Sequence, residues 1–297
     1  MGRLEAYLAE GAAAVEAALR DVVPGEEVLP PSIHRAMRYS LLAPGKRLRP
    51  VLAFAGAEIA GSSWSAVLPT ACGLEMIHTY SLIHDDLPCM DDDDLRRGRP
   101  TSHKVFGEAM AVLAGEALLT LGFGTIASNA AVPGVQPERV LRVLGEVAEA
   151  AGSRGMIAGQ VLDLSMGGSA PSLEQLEGMH SLKTGALLRA SLRAGAILAG
   201  AGEELLEALG RYGAAFGIAF QVTDDLLDLG GDEAEMGKRA GSDRRKRKAT
   251  YPLVLGVEEA RRAAEEAASA AAREAAALGP RAWMLEELAL MVVTRRR

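Results

Sequence analysis

The stretch HTYSLIHDDLPCMDDDDLRRGRPTSH, residues 78–103, decides which fold and site we expect of this chain. It begins as an apolar helix, turns into an acidic cluster that starts at Asp85, and closes with the arginine pair Arg96 and Arg97. Magnesium takes hard oxygen ligands and usually shares its coordination shell with substrate phosphates. The planar guanidinium group binds phosphate oxygens bidentately. The stretch therefore predicts a pocket for a magnesium diphosphate that carries an apolar tail.

Two other interpretations of this stretch stay open on its residues alone. An acidic run is usually a solvated loop, and this one lacks the alternating ligands and central glycine of an EF-hand. An HD-type phosphohydrolase would instead use a metal set of His34, His84, Asp85 and Asp228. The choice between these interpretations depends on the rest of the chain.

The composition favours closely packed helices. Hydrophobic residues make up 49% of the 297 residues, aromatic residues only 4%, and there are 33 glycines. The net charge of −7 argues against nucleic acid as the main partner.

Two features bear on where the protein resides. The only cysteines, Cys72 and Cys89, do not form a disulfide framework, so we expect a reducing compartment and a cytoplasmic location. The N-terminus lacks the pattern of a signal peptide, and no run approaches about 18 uninterrupted apolar residues, so we expect no membrane span.

Apolar periodicity and the placement of proline and glycine predict an all-α chain that forms a single domain, residues 1–297, and no strand-like alternation or internal repeat stands out. Ser32 and Ser172 are the predicted N-caps, the latter in a capping box with Gln175. The predicted helices cover residues 3–20, 32–42, 51–60, 64–86, 104–129, 137–164, 203–228, 251–277 and 281–293, and one more that opens at Ser172.

Two interruptions of these helices bear on the site. Asp85 and Asp91 would point about 240° apart on an unbroken helix, so both can face one ion only if the helix breaks at Pro88. Gly185 follows Lys183 and Thr184 in mid-helix, where glycine costs about 1 kcal/mol relative to alanine. We therefore expect a local kink that exposes polar groups there.

A second acidic cluster follows far along the chain. Asp224 and Asp228 share one helix face, where like charges repel unless a cation or solvent absorbs them. The glycine-rich basic loop 230–249, with Lys238 and Arg239, comes directly after and resembles a phosphate lid. Two facing carboxylate patches could hold several magnesium ions on one diphosphate.

Several motifs together resemble the trans-type prenyl diphosphate synthases, most nearly the bacterial farnesyl diphosphate synthases. The resemblance covers about residues 30–256, and it rests on the order and spacing of these motifs. They are GKRLRP at 45–50, DDLPCMDDDDLRRGRPTSH at 85–103, KTGAL at 183–187, FQVTDDLLD at 220–228 and KATYP at 248–252.

The resemblance implies an all-α bundle around a deep central cavity (the isoprenoid synthase type), usually a homodimer, with a role for each motif. The diphosphate of isopentenyl diphosphate would bind to Lys46, Arg49, His78 and Arg97. Two magnesium ions, for which manganese could substitute, would bind to Asp85 and Asp91 with Asp86 nearby. A third would bind to Asp224 in the cluster that also contains Asp225 and Asp228.

The allylic diphosphate would bind to Arg96, Lys183, Lys238 and Lys248. The developing allylic cation would lie beside Thr184 and Gln221, which with Lys183 form the expected catalytic set.

The resemblance also bears on product length. In this family an aromatic residue five positions before the first aspartate, here Tyr80, forms a floor that stops growth at fifteen carbons. A bulky residue at Ser81, one turn below Asp85, would favour ten. We therefore predict (2E,6E)-farnesyl diphosphate, formed by magnesium-assisted ionisation, condensation and elimination.

Three further alternatives stay open. A geranylgeranyl diphosphate synthase would differ only in pocket depth. A terpene cyclase shares the fold class, but GKRLRP and the second complete aspartate motif argue against it. A non-catalytic helical subunit would have no need of two aspartate clusters.

Overall fold

Helices make up nearly all regular structure in the computed structural model, which describes residues 2–168, 171–230 and 248–294. The first half contains α1 Arg3–Val22, α2 Pro31–Leu41, α3 Leu48–Ile59, α4 Trp64–Asp85, α5 Ser102–Phe106, α6 Glu108–Ala127 and α7 Pro137–Ala151. The second half contains α8 Met156–Met166, α9 Leu173–His180, a π-helical turn Ser181–Gly185, α10 Ala186–Ala199, α11 Glu203–Gly230, α12 Tyr251–Leu255, α13 Val257–Ala277 and α14 Trp283–Val292. Short 3₁₀ turns cover Ser128–Ala131 and Pro280–Ala282, and one small ladder pairs β1 Leu95–Arg96 with β2 Arg99–Pro100. The all-α prediction is confirmed.

Three predicted helices are each divided in two. Gly107 and Gly256, with φ of 84° and 83°, separate α5 from α6 and α12 from α13. The predicted helix 137–164 is interrupted between Ala151 and Met156. At positive φ the backbone cannot continue a right-handed helix, so Gly107 ends α5 and Gly256 ends α12.

The two predicted N-caps have different outcomes. Ser172 accepts a hydrogen bond from the Gln175 amide at 3.2 Å, and the Gln175 side chain accepts one from the Ser172 amide at 2.9 Å, which confirms the capping box. The Ser32 prediction is wrong: α2 begins at Pro31 with Pro30 as its N-cap residue. Proline suits the first helical position because its missing N–H would have had no partner there.

The core forms around α4, which packs against α3, α6 and α10. Small residues let these helices approach closely, as the composition predicted. A Cβ atom on Gly195 of α10 would collide with the Ala53 carbonyl of α3, and one on Gly56 of α3 would collide with the Leu192 carbonyl of α10. The contact between α3 and α10 therefore excludes side chains at both positions.

One segment of the described chain, Glu108–Ala131, is long and apolar enough to cross a membrane by length and composition alone, although no span was expected. Its mean hydropathy is 1.6, and 39% of the apolar window is buried inside the protein. A core helix passes the same test, and α6 packs along α4. The segment is therefore weak evidence for a span.

Candidate active site

A cavity of about 1220 Å³ lies between α4, α8, the π-helical turn and α11. Its polar lining comes from the ends of these helices and from the loops before α3 and after α4. The predicted site residues that line it are Lys46, Arg49, His78, Tyr80, Ser81, Asp85, Arg96, Arg97, Lys183, Thr184, Gln221, Asp224, Asp225, Asp228 and Lys248. Lys238 lies outside the described residues, as does most of the basic loop 230–249.

The first acidic cluster is shaped by the end of α4. The helix stops at Asp85, and the chain turns back so that the Asp91 amide donates to the Asp85 carbonyl at 2.8 Å. The break predicted near Pro88 is therefore present, and it returns Asp91 to the end of α4. Burial raises the pKa of the Asp85 carboxyl. Lys183 lowers this pKa, and Asp91 raises it.

Asp86 forms an ion pair with the Arg96 side chain. Its carboxylate accepts hydrogen bonds from Arg96 Nε at 2.8 and 2.9 Å, and Arg96 Nη2 lies 2.6 Å from the same group. Burial raises the pKa of Asp86 while Arg96 lowers it. The pair fixes the Arg96 guanidinium at the cavity wall, and β1 holds its backbone in place.

The second acidic cluster lies near the C-terminal end of α11. Asp225 accepts hydrogen bonds from Gln221 Nε2 at 2.9 Å and from the Tyr251 amide at 3.0 Å. Thr184 in turn donates to Gln221 Oε1 at 2.8 Å. The Gln221 amide is therefore oriented from both sides, and Asp225 ties α11 to the start of α12.

Asp163 is a site residue to which the sequence analysis assigned no role. Its buried carboxylate lies 2.5 Å from Lys183 Nζ and 3.6 Å from Lys248 Nζ, while Lys248 also lies 2.7 Å from Asp91. A lone aspartate in a helix usually faces solvent, and the only signal was its place in the sequence GQVLD, 159–163. The π-helical turn at 181–185 confirms the expected local distortion and carries Lys183 and Thr184.

A separate set of basic side chains borders the cavity at the start of α3 and beside α4. Arg97 donates to the Pro44 carbonyl at 2.9 Å, which joins the loop after α4 to the loop before α3. Burial lowers the pKa of Arg49 to about 10. Burial, with Arg49 and Arg97 nearby, holds the pKa of His78 well below its usual range. His78 is therefore neutral at pH 7 and would offer a diphosphate a hydrogen bond and no charge.

The apolar part of the cavity continues past Tyr80 and Ser81. Tyr80 is 6% exposed, and its ring meets the His84 ring edge-on at 5.6 Å. The His84 Nε2 atom lies 3.1 Å from the Val112 carbonyl. The Ser81 hydroxyl donates to the His78 carbonyl at 2.8 Å, within α4.

The histidines do not form the metal set of an HD-type phosphohydrolase. His34 is absent from the cavity lining, and its Nδ1 atom lies 2.9 Å from the Val28 carbonyl. Within the part of the chain that the structure describes, no three His, Cys, Asp or Glu side chains gather as a ready metal site. The acidic clusters would thus need oxygens from a bound ligand to complete a coordination shell.

The carboxylates of the two acidic clusters fit magnesium, provided that a bound ligand supplies the remaining oxygens. All the candidate ligands are carboxylates, and magnesium characteristically binds one or two carboxylates together with substrate phosphates. Burial raises the pKa of Asp85 and Asp91 adds to that effect, whereas Lys183, Arg96 and Lys248 oppose it. A divalent cation there would favour the ionised carboxylates.

Comparisons with known proteins identify the family of this chain. The family model described as polyprenyl synthetase matches residues 30–281. The chloroplastic heterodimeric geranylgeranyl pyrophosphate synthase large subunit 1 of Arabidopsis thaliana is 51% identical over 88% of this chain and 70% of its own length. The chloroplastic geranylgeranyl pyrophosphate synthase of Catharanthus roseus is 51% identical over 88% of this chain and 72% of its own length.

Two solved structures share the fold. An FPP/GFPP synthase from Zymomonas mobilis superposes with a TM-score of 0.85 at 34% identity and covers 98% of both chains. A geranyltransferase from Helicobacter pylori, complexed with magnesium and isoprenyl diphosphate, superposes with a TM-score of 0.85 at 31% identity, over 99% of this chain and 97% of that one.

These likenesses do not confirm every expectation. The names of the relatives favour geranylgeranyl over farnesyl diphosphate as the product, so the farnesyl prediction is not confirmed. The expected cytoplasmic location and homodimer are not confirmed either. With two acidic clusters and two groups of cations around one cavity, and a family match over residues 30–281, this chain belongs to the polyprenyl synthetase family and is a short-chain prenyl diphosphate synthase.

Proposed function

We propose that the chain joins isopentenyl diphosphate head-to-tail to an allylic diphosphate. The observation that carries this proposal is the presence of two separate cation groups around one cavity with an apolar interior. Group one is the cations Lys46, Arg49 and Arg97 together with the neutral His78, and group two is Arg96, Lys183 and Lys248. Group one would bind isopentenyl diphosphate, and group two, beside the acidic clusters, would bind the allylic diphosphate.

The chemistry begins with cleavage of the allylic carbon–oxygen bond, in which the diphosphate leaves with the electron pair. The double bond of isopentenyl diphosphate attacks the allylic cation, a carbon–carbon bond forms, and a proton is lost to the released diphosphate. Positive charge placed where negative charge develops stabilises such a departure. Lys183, held by Asp163, and Lys248, held by Asp91, are oriented for that role.

Thr184 and Gln221 would act on the cation. The Gln221 amide is fixed by Thr184 on its oxygen and by Asp225 on its nitrogen, so its dipole has a set direction at the cavity wall. A preorganised dipole costs no reorganisation when charge appears. Uncharged oxygens beside the cation would stabilise it without capturing it.

Magnesium would bind to Asp85 and Asp91 on one rim and to Asp224 and Asp228 on the other, with Asp86 and Asp225 holding the neighbouring groups in place. When bound, it would supply Lewis-acid stabilisation of the leaving diphosphate. We propose three ions per site, for which manganese can substitute.

The product we propose first is geranylgeranyl diphosphate, which the names of the relatives support. Farnesyl diphosphate is the second candidate, and Tyr80 favours it. This buried aromatic ring borders the cavity below Asp85, where a growing chain would meet it.

A product assay tests the function and separates the two candidates. The protein is incubated with magnesium, isopentenyl diphosphate and dimethylallyl diphosphate, and the dephosphorylated products are sized by chromatography. Twenty carbons support the first candidate and fifteen the second. No elongated product at all, with and without EDTA, would contradict the proposed function.

We also propose one domain, residues 1–297, that assembles as a homodimer. The family match over residues 30–281 supports one domain. The apolar window in Glu108–Ala131, of which 39% is buried within the chain, supports a partner surface. Light scattering at micromolar concentration should give twice the mass of the chain.

A further inference from the structure

Arg47 borders the cavity between Lys46 and Leu48, but it is itself buried. It is 2% exposed, and its backbone lies in the left-handed region with φ of 48° and ψ of 37°, immediately before α3. Residues other than glycine seldom adopt this conformation. Lys46, Arg47 and Arg49 all border the cavity, and the Arg47 side chain is fully buried in its wall.

The buried guanidinium ties this loop to two helices. Its Nη1 atom lies 2.8 Å from Glu75 Oε1 on α4, and its Nη2 atom lies 3.4 Å from Glu16 Oε1 on α1. It also donates to the Ala43 carbonyl at 2.7 Å. Buried charges of this kind are tolerated only with close partners, so the ion pair fixes where the loop lies.

Glu75 lies on the same helix, α4, as the site residue His78. It lies one helical turn before His78, which is also in group one, so the Arg47–Glu75 pair couples the loop before α3 to the helix that carries His78. The Arg47 and Glu75 side chains are 0% and 2% exposed. Both residues border the cavity, but their side chains present almost no surface to it, so an effect on binding would pass through their neighbours.

The charge on Glu75 also matters to group one. Burial lowers the pKa of Arg49, and Arg97 lowers it further, whereas Glu75 raises it. The Glu75 carboxylate also raises the pKa of Arg97, whereas burial lowers it. This buried negative charge therefore offsets the mutual repulsion of Arg49 and Arg97.

We propose that Arg47 and Glu75 are positioning residues for isopentenyl diphosphate, acting through Lys46, Arg49 and His78. The pair would set the affinity for this substrate and leave that for the allylic substrate unchanged. This inference rests on the proposed function.

The test is a comparison of KM for the two substrates in Arg47→Met and Glu75→Gln. We expect KM for isopentenyl diphosphate to rise at least tenfold and KM for the allylic diphosphate to stay within twofold. Arg193→Met is the matched control, since Arg193 and Glu146 pair at 2.8 Å between α10 and α7, and neither residue borders the cavity. It should lower the melting temperature and leave both KM values unchanged.

Two further variants keep the test decisive. If the single variants do not fold, Arg47→Met combined with Glu75→Leu removes both charges without leaving one buried alone, and the same selective rise is expected. Arg47→Gly keeps the left-handed backbone and removes the anchor, so it should also raise KM for isopentenyl diphosphate.

An equal rise in both KM values, or wild-type KM values in Arg47→Gly, would overturn the inference. Absence of condensation by the unaltered protein would instead contradict the proposed function.

Discussion

At the scale of the residue, we predict that Arg49 sets an upper pH limit on the binding of isopentenyl diphosphate. Its pKa is lowered to about 10, and only the charged guanidinium attracts a diphosphate. We predict that KM for isopentenyl diphosphate is flat from about pH 7.5 to 9 and rises above about pH 10. Glu75→Gln should move the rise to lower pH, because Glu75 favours the charged form of Arg49. A profile that stays flat beyond pH 10.5, measured under conditions where the protein remains folded, would contradict this account.

The side chains below Asp85 should control product length in opposite directions. Tyr80→Ala removes a buried ring from the cavity wall, so the longest product should gain at least one five-carbon unit over that of the unaltered protein. Ser81→Phe adds a ring one turn below Asp85, so products should shorten toward ten carbons. Chromatography of the dephosphorylated products measures both. An unchanged product in Tyr80→Ala would refute the role of this residue as a floor.

The residues whose roles were predicted from the sequence are those with a chemical signature. Asp85, Lys183 and Gln221 belong to motifs, and all three line the cavity. Asp163 and Arg47 were missed for a physical reason. One aspartate in a helix and one arginine in a basic run both look like surface residues, and only the folded chain shows that their charges are buried against partners.

At the scale of the element, the contact between α3 and α10 should be intolerant of added volume. Gly195→Ala would place a methyl group against the backbone of α3, so the two helices must separate. We expect a loss of about 1–3 kcal/mol in the free energy of unfolding, the usual cost of overpacking. Denaturant unfolding measures the change.

Gly145→Ala on α7 is the matched control for this prediction. A Cβ atom there meets nothing within 4 Å, and alanine favours a helix over glycine by up to about 1 kcal/mol. The control should therefore gain stability. Equal effects of the two substitutions would show that helix propensity, and not the contact between α3 and α10, decides the result.

Helix identity was predictable from apolar spacing, but several helix ends were not. The long patterns over residues 104–129 and 251–277 continue across Gly107 and Gly256, because a single glycine hardly disturbs periodicity. Whether such a glycine continues the helix or takes positive φ depends on how the flanking segments pack. That information lies in tertiary contacts and not in the local pattern.

At the scale of the whole molecule, the fold brings distant motifs to one cavity. The order of the motifs indicated which residues would meet, and the helices of the bundle place them on facing walls. The depth of the pocket and the identity of buried partners were not predictable in the same way. Both depend on the packing of side chains from several helices at once.

The most direct test of the central claim is to measure what is released, and from which substrates. We predict that inorganic diphosphate appears only when magnesium, an allylic diphosphate and isopentenyl diphosphate are all present, at one molecule for each carbon–carbon bond formed. Chelation of magnesium with EDTA should abolish the release. Inorganic phosphate released from either substrate alone, or diphosphate release that is indifferent to isopentenyl diphosphate and to EDTA, would contradict the account.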